Sequence, residues 1–563
     1  MILQPIIDIA EICAQLGVKE VVVSPGSRSA LLTLAFVRHP AFRPKVISDE
    51  RAAAFMALGM AQVHKVPTVL ICTSGTAVYN FAPAVAEAYY QQVPLLVLTA
   101  DRPPEWIGQW DGQTIQQQQI FGQHVKSSMQ LPASYQHPDE VWHVQRIVSD
   151  SFHQAISYPQ GPVHINVPIR EPFYPQAGEV FAYSKNLRVR KEIGGQKQLN
   201  EAQWAELTHV MQDSPRKMLL IGQQDEWELD SYINELSQKG WLVVSDVIGN
   251  CTNKEAILHS DSFLPHTTNT ENLRPDLLIT MGKSIISKNL KLFLRKHKPT
   301  HHWHVAAEGA IADPFQTLTQ VLRTDERLFL PELVAKSSQG DAAFAQQWKK
   351  LEKMAINQNA AFFEKQSSGE WAAIYTAMQT FESGNLHLAN SMAVRYANFV
   401  GNRKKSVRVF ANRGTSGIDG SNSTALGSVW ASKVPTLLIT GDMAFFYDRN
   451  AFWHNCPMDK LCVLVLNNHA GGIFGLIDGP SQQPELEEFF ETNQALNAES
   501  LAQEFKLGYV RCQQMTEVQE AIVSFMQSGK GQIIEVVTDK KQNKAIFQEF
   551  KKQMQQALAE INR

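Results

Sequence analysis

The last third of the sequence contains Pro435-Thr-Leu-Leu-Ile-Thr-Gly-Asp442, an apolar run of strand length that ends in an acid. A second apolar run, residues 461–466, follows it and leads directly into Asn467-Asn468. Uninterrupted apolar runs of this length are typical of parallel strands that are buried on both faces of a sheet. Parallel strands present their ligand-binding ends at one edge, so the two runs predict a carboxylate and an amide oxygen at one place.

Short β-branched runs alternate with longer helical patterns along the whole chain, which predicts the α/β class with parallel sheets covered by helices. Two polar segments, 185–200 and 337–341, divide the chain. We therefore expect three doubly wound domains, at 1–184, 198–338 and 345–563. Strands are expected at 20–23, 45–48, 68–73, 95–99, 162–167, 218–221, 241–245, 276–281, 302–305, 407–411, 435–440, 461–466 and 532–538.

One internal similarity bears on how the domains are related. Residues 94–101 match residues 435–442 at four of eight positions, and both runs end in Asp. Buried parallel strands resemble one another, so chance is the simpler explanation. The alternative is that the first and last thirds are duplicated α/β domains flanking a third one.

Composition limits the possible functions. A chain of 563 residues that is 44% hydrophobic is long enough for several cores. The 52 basic residues nearly balance the 55 acidic ones, and no Lys/Arg run suits a polyanion, so nucleic acid is not an expected partner. The first 17 residues are partly apolar, but Asp8 and Glu11 interrupt the apolar pattern, so we expect a helix there. A second helix is expected at the other end, from Lys540 to Asn562. We expect a cytoplasmic protein without integral membrane association.

The cysteines are scattered without the spacing of a zinc site, which indicates a reducing compartment and buried core thiols. They are Cys13, Cys72, Cys251, Cys456, Cys462 and Cys512.

The predicted meeting of Asp442 and Asn468 suits a hard cation. Mg²⁺ prefers oxygen ligands and shares them between protein and phosphate groups, and the backbone carbonyl of Ala470 could turn toward the same ion. Individually, Asp442 could be a strand-end acid and Asn467-Asn468 an ordinary turn. Together, Gly441-Asp442 and the later Asn-Asn pair resemble the metal-diphosphate motif of thiamin diphosphate enzymes. The common motif has Gly after the Asp, where this chain has Met443.

That resemblance implies thiamin diphosphate with Mg²⁺ or Mn²⁺, a pyrimidine-binding first domain and a diphosphate-binding last domain. It also implies an acid that hydrogen-bonds the pyrimidine N1′. Glu50 fits, because it follows a predicted strand and precedes the apolar helix Ala52-Ala-Ala-Phe-Met-Ala-Leu-Gly-Met-Ala61. The alternative is that Glu50 complements the helix dipole. In this family the two domains meet between subunits, so a homodimer or a homotetramer is implied.

Further stretches resemble the thiamin diphosphate-dependent synthases of the menaquinone pathway. This resemblance implies that 2-oxoglutarate loses CO₂ and that the remainder adds to isochorismate in a conjugate addition. The stretches are Ser24-Pro-Gly-Ser-Arg-Ser29, Thr99-Ala-Asp-Arg-Pro-Pro104, Gly112-Gln-Thr-Ile115, Asn390-Ser-Met-Ala-Val-Arg395 and Asn412-Arg-Gly-Thr-Ser-Gly-Ile-Asp-Gly420.

Both substrates of that family carry two carboxylates, which calls for several cations, and Arg can grip a carboxylate with two parallel hydrogen bonds. The family's cationic positions correspond to Arg28, Arg102, Lys288, Arg395 and Arg413. Asp101 could instead be a structural partner of Arg102. Asn289 stands where the family typically has a second cation, so that charge is missing or supplied elsewhere.

The resemblance assigns roles to other residues as well. Gln113 would hydrogen-bond substrate, Ser27 and Ser391 would support carboxylate or diphosphate contacts, and Ser391 would cap a helix. Ile418 would wedge between the two rings of the cofactor, and Gly441 would lie at the diphosphate. Ile473, Phe474 and Ile477 would line the pocket, although their spacing is equally that of an amphipathic helix.

Two alternatives remain open. One is another thiamin carboligase or 2-oxo acid decarboxylase. The other is a non-catalytic nucleotide-binding or regulatory protein, since an α/β fold alone implies no activity. The second has little support, because no glycine-rich dinucleotide or P-loop motif follows a predicted strand.

Overall fold

The computed structural model describes residues 3–176, 178–224 and 228–561. Met1 and Asn562, which fall within predicted helices, lie outside these ranges. The described residues form three parallel β-sheets flanked by helices, which confirms the predicted class of three doubly wound α/β units. No helix in these ranges is long and apolar enough to cross a membrane.

The first sheet has six parallel strands in the order β2-β1-β3-β4-β6-β5. Its strands are β1 Glu20–Val23, β2 Arg43–Val46, β3 Thr68–Cys72, β4 Leu95–Asp101, β5 Ser128–Gln130 and β6 Val163–Pro168. Its helices are α1 Gln4–Gln15, α2 Ala30–Val37, α3 Glu50–His64, α4 Ala77–Asn80, α5 Ala82–Gln91 and α6 Pro138–Ile156.

The central sheet has five parallel strands in the order β11-β10-β9-β7-β8. Its strands are β7 Lys217–Ile221, β8 Leu242–Ser245, β9 Leu277–Met281, β10 His301–Val305 and β11 Gln320–Leu322. Its helices are α7 Glu201–Asp213, α8 Asp230–Gln238, α9 Ser260–Phe263, α10 Lys288–Lys296 and α11 Glu326–Lys336.

The third sheet again has six parallel strands, in the order β13-β12-β14-β15-β17-β16. Its strands are β12 Gly384–Leu388, β13 Val407–Phe410, β14 Thr436–Gly441, β15 Leu461–Asn467, β16 Gly508–Cys512 and β17 Gln532–Val537. Its helices are α12 Ala342–Phe363, α13 Glu370–Thr380, α14 Met392–Val400, α15 Ser421–Ser432, α16 Asp442–Tyr447, α17 Glu499–Glu504, α18 Met515–Ser528 and α19 Lys540–Ile561.

The first and third sheets share one strand order when each is numbered from its own first strand. The two similar sequence runs nevertheless occupy different places in that order. Residues 94–101 lead into and form β4, the fourth strand of its sheet, whereas residues 435–442 contain β14, the third. The units are therefore alike in topology, while the sequence match between those two runs reflects the common character of buried strands.

Four strands have no counterpart among the predicted ones: β5, β11, β12 and β16. Three of them lie at sheet edges, where no continuous apolar run is needed. The fourth, β12, is internal but has Asn385 and His387 buried within it, which hides its strand character. Strand β2 begins two residues earlier than expected and is also an edge strand with an exposed Arg43.

Helices α3 and α15 join the first and third units through close backbone contact. A Cβ atom added to Gly59 would collide with the Thr424 carbonyl oxygen, and one added to Gly427 would collide with the Met56 carbonyl oxygen. Only glycine permits this approach. The prediction of a fully buried helix after Glu50 is confirmed, since every residue from Ala52 to Gln62 is buried.

The predicted unit boundaries stay predictions. No helix or strand occurs within residues 185–200. At the second boundary, α12 packs on both sides: Trp348 donates a hydrogen bond to the Leu273 carbonyl, while the ring of Phe362 lies 5.2 Å from that of Phe550 in α19.

Candidate active site

Asp442 lies close to the turn that follows β15, as the sequence predicted. Strands β14 and β15 are paired so that Gly441 lies opposite Leu466, which brings the following residues to one edge. The Gln494 side chain links them, because its Nε2 lies 2.9 Å from Asp442 Oδ2 and 3.2 Å from Asn467 Oδ1. Gln494, distant in sequence, carried no motif that would have identified it.

Asp442 is a buried acid whose partners are neutral N–H groups. It is 2% exposed, and burial raises the pKa of its carboxyl above the ordinary value, against hydrogen bonds from Gln494 and the Met443 and Ala470 amides. None of the ion pairs among the described residues involves Asp442. A buried carboxylate with no cationic partner fits a bound cation.

The turn at 468–470 is closed by its own hydrogen bonds. Asn468 Oδ1 accepts from the Ala470 amide at 2.9 Å, and the Ala470 carbonyl accepts from the Gly472 amide at 2.9 Å. The described residues contain no cluster of three or more His, Cys, Asp or Glu side chains suited to a metal. One carboxylate, one amide oxygen and one carbonyl still form an oxygen set of the kind that Mg²⁺ uses with phosphate oxygens.

Met443 replaces the glycine of the common motif without backbone strain. It is the second residue of α16 and has ordinary helical geometry, so no left-handed conformation requires glycine there. Its backbone N–H donates to Asp442 Oδ1 at 2.8 Å, a bond that any non-proline residue can make.

Asp442, Asn467 and Asn468 form what is called here the Asp442 corner. Glu370 lies beside it and was not identified from the sequence. Its Oε1 accepts from Asn468 Nδ2 at 2.5 Å, and burial with repulsion from Asp442 raises the pKa of Glu370 to about 8. Glu370 is the first residue of α13, and its sequence neighbours Gly369 and Trp371 form no motif that would predict its position beside the third sheet.

Glu50 is the first residue of α3, and the helix cap is Asp49, whose side chain accepts from the Ala52 amide at 2.9 Å. Repulsion from Glu50 adds to burial in raising the pKa of Cys72, which places the carboxylate near the end of β3. No hydrogen bond among the described residues joins Glu50 to the Asp442 corner. Instead, the start of α3 contacts the end of α16, where Arg51 donates to the Tyr447 carbonyl at 2.8 Å.

The predicted site residues of the first unit differ in their surroundings. Arg28 is buried, donates to the Ile169 carbonyl at 3.0 Å and lies over the Phe173 ring at 4.2 Å. Ser27 and Gln113 are exposed.

Arg102 does not have the structural partner suggested by the sequence. Its side chain pairs with Asp111 at 2.7 Å and donates to the Gly112 carbonyl. Asp101 accepts instead from the Arg102 backbone amide and from Asn166 Nδ2. The suggested pairing with Asp101 is therefore wrong, because the Asp111 loop folds back over the guanidinium.

Arg395, Arg413 and Ser391 lie together in the third unit. Arg395 donates to the Ser391 carbonyl at 2.5 Å, and Arg413 donates to Asn390 Oδ1 at 2.8 Å while its buried Nε has no hydrogen-bond partner. Burial and then repulsion from Arg395 lower the pKa of Arg413. Two adjacent cations with an unmet donor suit an anionic ligand.

Ser391 occupies the predicted position before α14 but does not cap it. Its side chain makes no capping hydrogen bond, and its φ of 74° is unusual for a residue with a side chain. The expected cap is wrong because this conformation is not the extended one that an N-cap serine uses.

The apolar candidates are placed unevenly. Ile418 is half-buried against the core of the third unit. Ile473 and Phe474 lie in a single 3₁₀ turn, Gly472–Gly475, and Ile477 is 40% exposed. The amphipathic α-helix that their spacing also allowed is absent, since the turn ends at Gly475.

Lys288 begins α10 of the central unit and is exposed. The neighbouring Asn289 is not directed at a substrate, because its Nδ2 donates to Asp261 Oδ1 at 2.9 Å. Asn289, which replaces the family's usual cation, therefore serves as a hydrogen-bond donor within the fold of this chain.

Glu87 holds the Arg413 loop in place and was not identified from the sequence. This buried acid of α5 accepts from the Gly414 amide at 2.7 Å and from both the amide and hydroxyl of Thr415 at 2.6 Å. Such charge-assisted bonds across two units fix the loop that carries Arg413.

Replacing Glu87 with Gln should lower the free energy of unfolding by about 1–3 kcal/mol, because bonds to an ionised acceptor become bonds to an amide. Chemical denaturation measures the change. Glu520→Gln, at an exposed position within α18, is the matched control and should change it by less than about 0.5 kcal/mol. Equal stability of the two variants would contradict the anchoring role of Glu87.

Comparison with known families gives the class of protein. A family model described as "Thiamine pyrophosphate enzyme, N-terminal TPP binding domain" matches residues 8–125, and one described as "Middle domain of thiamine pyrophosphate" matches residues 186–386. Three parallel-sheet units with an acidic corner at the third sheet agree with that class. The protein is a thiamin diphosphate-dependent enzyme.

The curated relatives are more specific. The 2-succinyl-5-enolpyruvyl-6-hydroxy-3-cyclohexene-1-carboxylate synthase of Cytophaga hutchinsonii is 44% identical, with 99% of this chain and all of the relative covered. The proteins of the same name from Flavobacterium psychrophilum and Bacteroides fragilis are each 34% identical, covering 97% and 96% of this chain and 98% and 96% of their own. The chain belongs to this synthase family.

Proposed function

We propose that the protein decarboxylates 2-oxoglutarate and adds the remaining four-carbon unit to isochorismate, giving 2-succinyl-5-enolpyruvyl-6-hydroxy-3-cyclohexene-1-carboxylate and CO₂ in menaquinone biosynthesis. The observation that carries the proposal is the 44% identity to a synthase of that name over the whole chain. The neighbouring Arg395 and Arg413 support substrates that are rich in carboxylates.

Thiamin diphosphate, when bound, supplies the nucleophilic carbon and the electron sink for decarboxylation. We propose that Asp442, Asn468 and the Ala470 carbonyl hold a Mg²⁺ or Mn²⁺ ion against the diphosphate, beside Gly441 and Ser391. Glu50 would be the acid that hydrogen-bonds the pyrimidine N1′, and Ile418 would pack against the two rings of the cofactor. The first unit, 1–184, would then bind the pyrimidine and the last unit, 345–563, the diphosphate. The central unit, 198–338, separates these two along the chain.

The remaining candidates would form the substrate pocket. Arg28 and Arg102 from the first unit, Lys288 from the central one and Arg395 with Arg413 would bind carboxylates. Ser27 and Gln113 are exposed and able to donate hydrogen bonds, while Ile473, Phe474 and Ile477 would form the apolar wall.

We propose a homodimer or a dimer of dimers with the sites between subunits. The start of α3 contacts residues 447–450 of its own chain, where Asn450 donates to Asp49 at 2.7 Å, and no described contact joins Glu50 to Asp442. A second subunit would let the Glu50 of one chain face the Asp442 of the other. We expect the assembly to work in the cytoplasm.

The test supplies thiamin diphosphate, Mg²⁺ and 2-oxoglutarate, with and without isochorismate. The expected result is product formation that needs both substrates, followed by chromatography and by CO₂ release. Pyruvate serves as the alternative donor. Turnover of pyruvate with no use of isochorismate would favour an acetolactate synthase or a decarboxylase of neutral 2-oxo acids and would overturn the proposal.

A further inference from the structure

The two asparagines at the end of β15 are each held by a buried glutamate. Asn467 Nδ2 donates to Glu535 Oε1 at 2.7 Å. Asn468 Nδ2 donates to Glu370 Oε1 at 2.5 Å. Glu535 lies in β17 of the same sheet, whereas Glu370 begins α13 and precedes Asn468 by 98 residues. Both glutamates are buried, and their contacts orient both side chains of the Asn-Asn turn.

The contacts of Asn468 determine which way its amide points. An oxygen of the Glu370 carboxyl group accepts a hydrogen bond, so the Nδ2 end of the amide faces α13. The Ala470 backbone N–H can only donate, and it lies 2.9 Å from the Oδ1 end. Oδ1 keeps a second lone pair that is able to bind a cation. Rotation of the amide by half a turn would present N–H groups to the cation and remove this ligand.

Glu370 is itself held in place by a closed circuit of hydrogen bonds. Its backbone N–H donates to Asn543 Oδ1 at 3.1 Å, and Asn543 Nδ2 donates to Thr538 Oγ1 at 2.9 Å. The Thr538 backbone N–H donates to the Asn467 carbonyl at 2.9 Å, and Asn467 is the neighbour of Asn468. The circuit therefore fixes the start of α13 against the turn after β15.

Gly472 leaves the space in which the Asn468 amide lies. A Cβ atom added to Gly472 would come within 2.8 Å of Asn468 Nδ2. Because Nδ2 is bonded to Glu370 and Oδ1 to the Ala470 amide, the side chain cannot turn away without losing one of these bonds. Gly472 and Glu370 thus both bear on the orientation of the same amide.

We infer that Glu370 is a positioning residue for the divalent cation, because it turns the Asn468 amide so that Oδ1 is available as a ligand. The inference rests on the proposed function, in which Asn468 and Asp442 hold the ion, and it adds a residue behind them. Residues that orient a metal ligand typically contribute about 10- to 100-fold to metal affinity. Glu370 acts through Asn468 and needs no contact with the ion.

The experiment measures the Mg²⁺ affinity of Glu370→Leu and Glu370→Gln by titration calorimetry in the presence of thiamin diphosphate. Leucine has no hydrogen-bond acceptor, so the affinity should fall about 10- to 100-fold. Glutamine keeps an oxygen acceptor and a similar shape, so Glu370→Gln should stay within about threefold of wild type. The electron paramagnetic resonance spectrum of Mn²⁺ bound with the cofactor should change in Glu370→Leu and not in Glu370→Gln.

Glu364→Leu, at an exposed position between α12 and α13, is the matched control and should bind Mg²⁺ like wild type. Melting temperatures verify that each variant is folded. Gly472→Ala disturbs the same amide and should also weaken Mg²⁺ binding, which keeps the test decisive if Glu370→Leu folds poorly.

Two results would overturn the inference. One is wild-type Mg²⁺ affinity in a folded Glu370→Leu, or in Gly472→Ala if Glu370→Leu does not fold. The other is an equal loss in Glu370→Gln, because glutamine keeps the acceptor. A wild type that binds thiamin diphosphate equally well without Mg²⁺ would instead overturn the proposed metal site and the inference with it.

Discussion

Glu50→Gln will reduce turnover by about 10²- to 10⁴-fold, the range that loss of a positioned acid–base group produces. The amide has nearly the same shape and cannot exchange a proton with the pyrimidine. Helix α3 should remain intact, because its cap is Asp49 and its residues from Ala52 to Gln62 are buried. Steady-state assays measure the loss, and calorimetry with thiamin diphosphate and Mg²⁺ should show that cofactor binding largely survives.

The control for Glu50→Gln is Glu201→Gln, which makes the same change in the first turn of α7 at an exposed position. It should leave the rate unchanged. If Glu50 only complements its helix dipole, the two variants will both keep near-normal activity and lose at most about 1 kcal/mol of stability. That result would end the assignment of Glu50 as the acid.

Asp442→Asn should weaken Mg²⁺-dependent binding of thiamin diphosphate by at least about 100-fold, since even residues behind metal ligands contribute 10- to 100-fold. The variant loses the negative charge and keeps an amide of similar shape. Burial already raises the pKa of the Asp442 carboxyl, so the neutral side chain should not lower the melting temperature. Titration calorimetry of the purified protein gives the affinity without relying on turnover.

Asp448→Asn separates this effect from a general loss of a buried acid. Asp448 is fully buried, its pKa is raised to about 7 by burial, and it accepts from the amide and hydroxyl of Ser423. This variant should bind the cofactor within about twofold of wild type. Equal affinities for the Asp442 and Asp448 variants would contradict the metal site at the end of β14.

The sequence was sufficient to predict the internal strands, because burial on both faces leaves uninterrupted apolar runs such as β14 and β15. It was not sufficient for the edge strands β5, β11 and β16. It also missed β12, whose polar side chains are buried by contacts that no local pattern reveals. The α3 helix was predictable from its apolar residues, whereas its close contact with α15 depends on two glycines far apart in the chain.

The Asp442 corner could be anticipated for the same reason as the strands, since each motif directly follows one of them. Gln494, Glu370 and Glu87 could not, because each reaches its partner from a distant segment and has no distinctive neighbours in the sequence. The expected cap at Ser391 failed because its backbone conformation is not set by residue type alone. Long-range hydrogen bonding is thus what the sequence concealed.

The glycine contacts between α3 and α15 also determine which parts of the enzyme are able to move. With carbonyl groups seated against Gly59 and Gly427, the first and third units cannot slide or hinge without breaking van der Waals contact along a helix. Any motion that admits substrate or releases product would then involve segments outside this contact, such as the short helical turns between Gly471 and Glu491. The contact between α3 and α15 therefore holds the first and third units in one fixed arrangement.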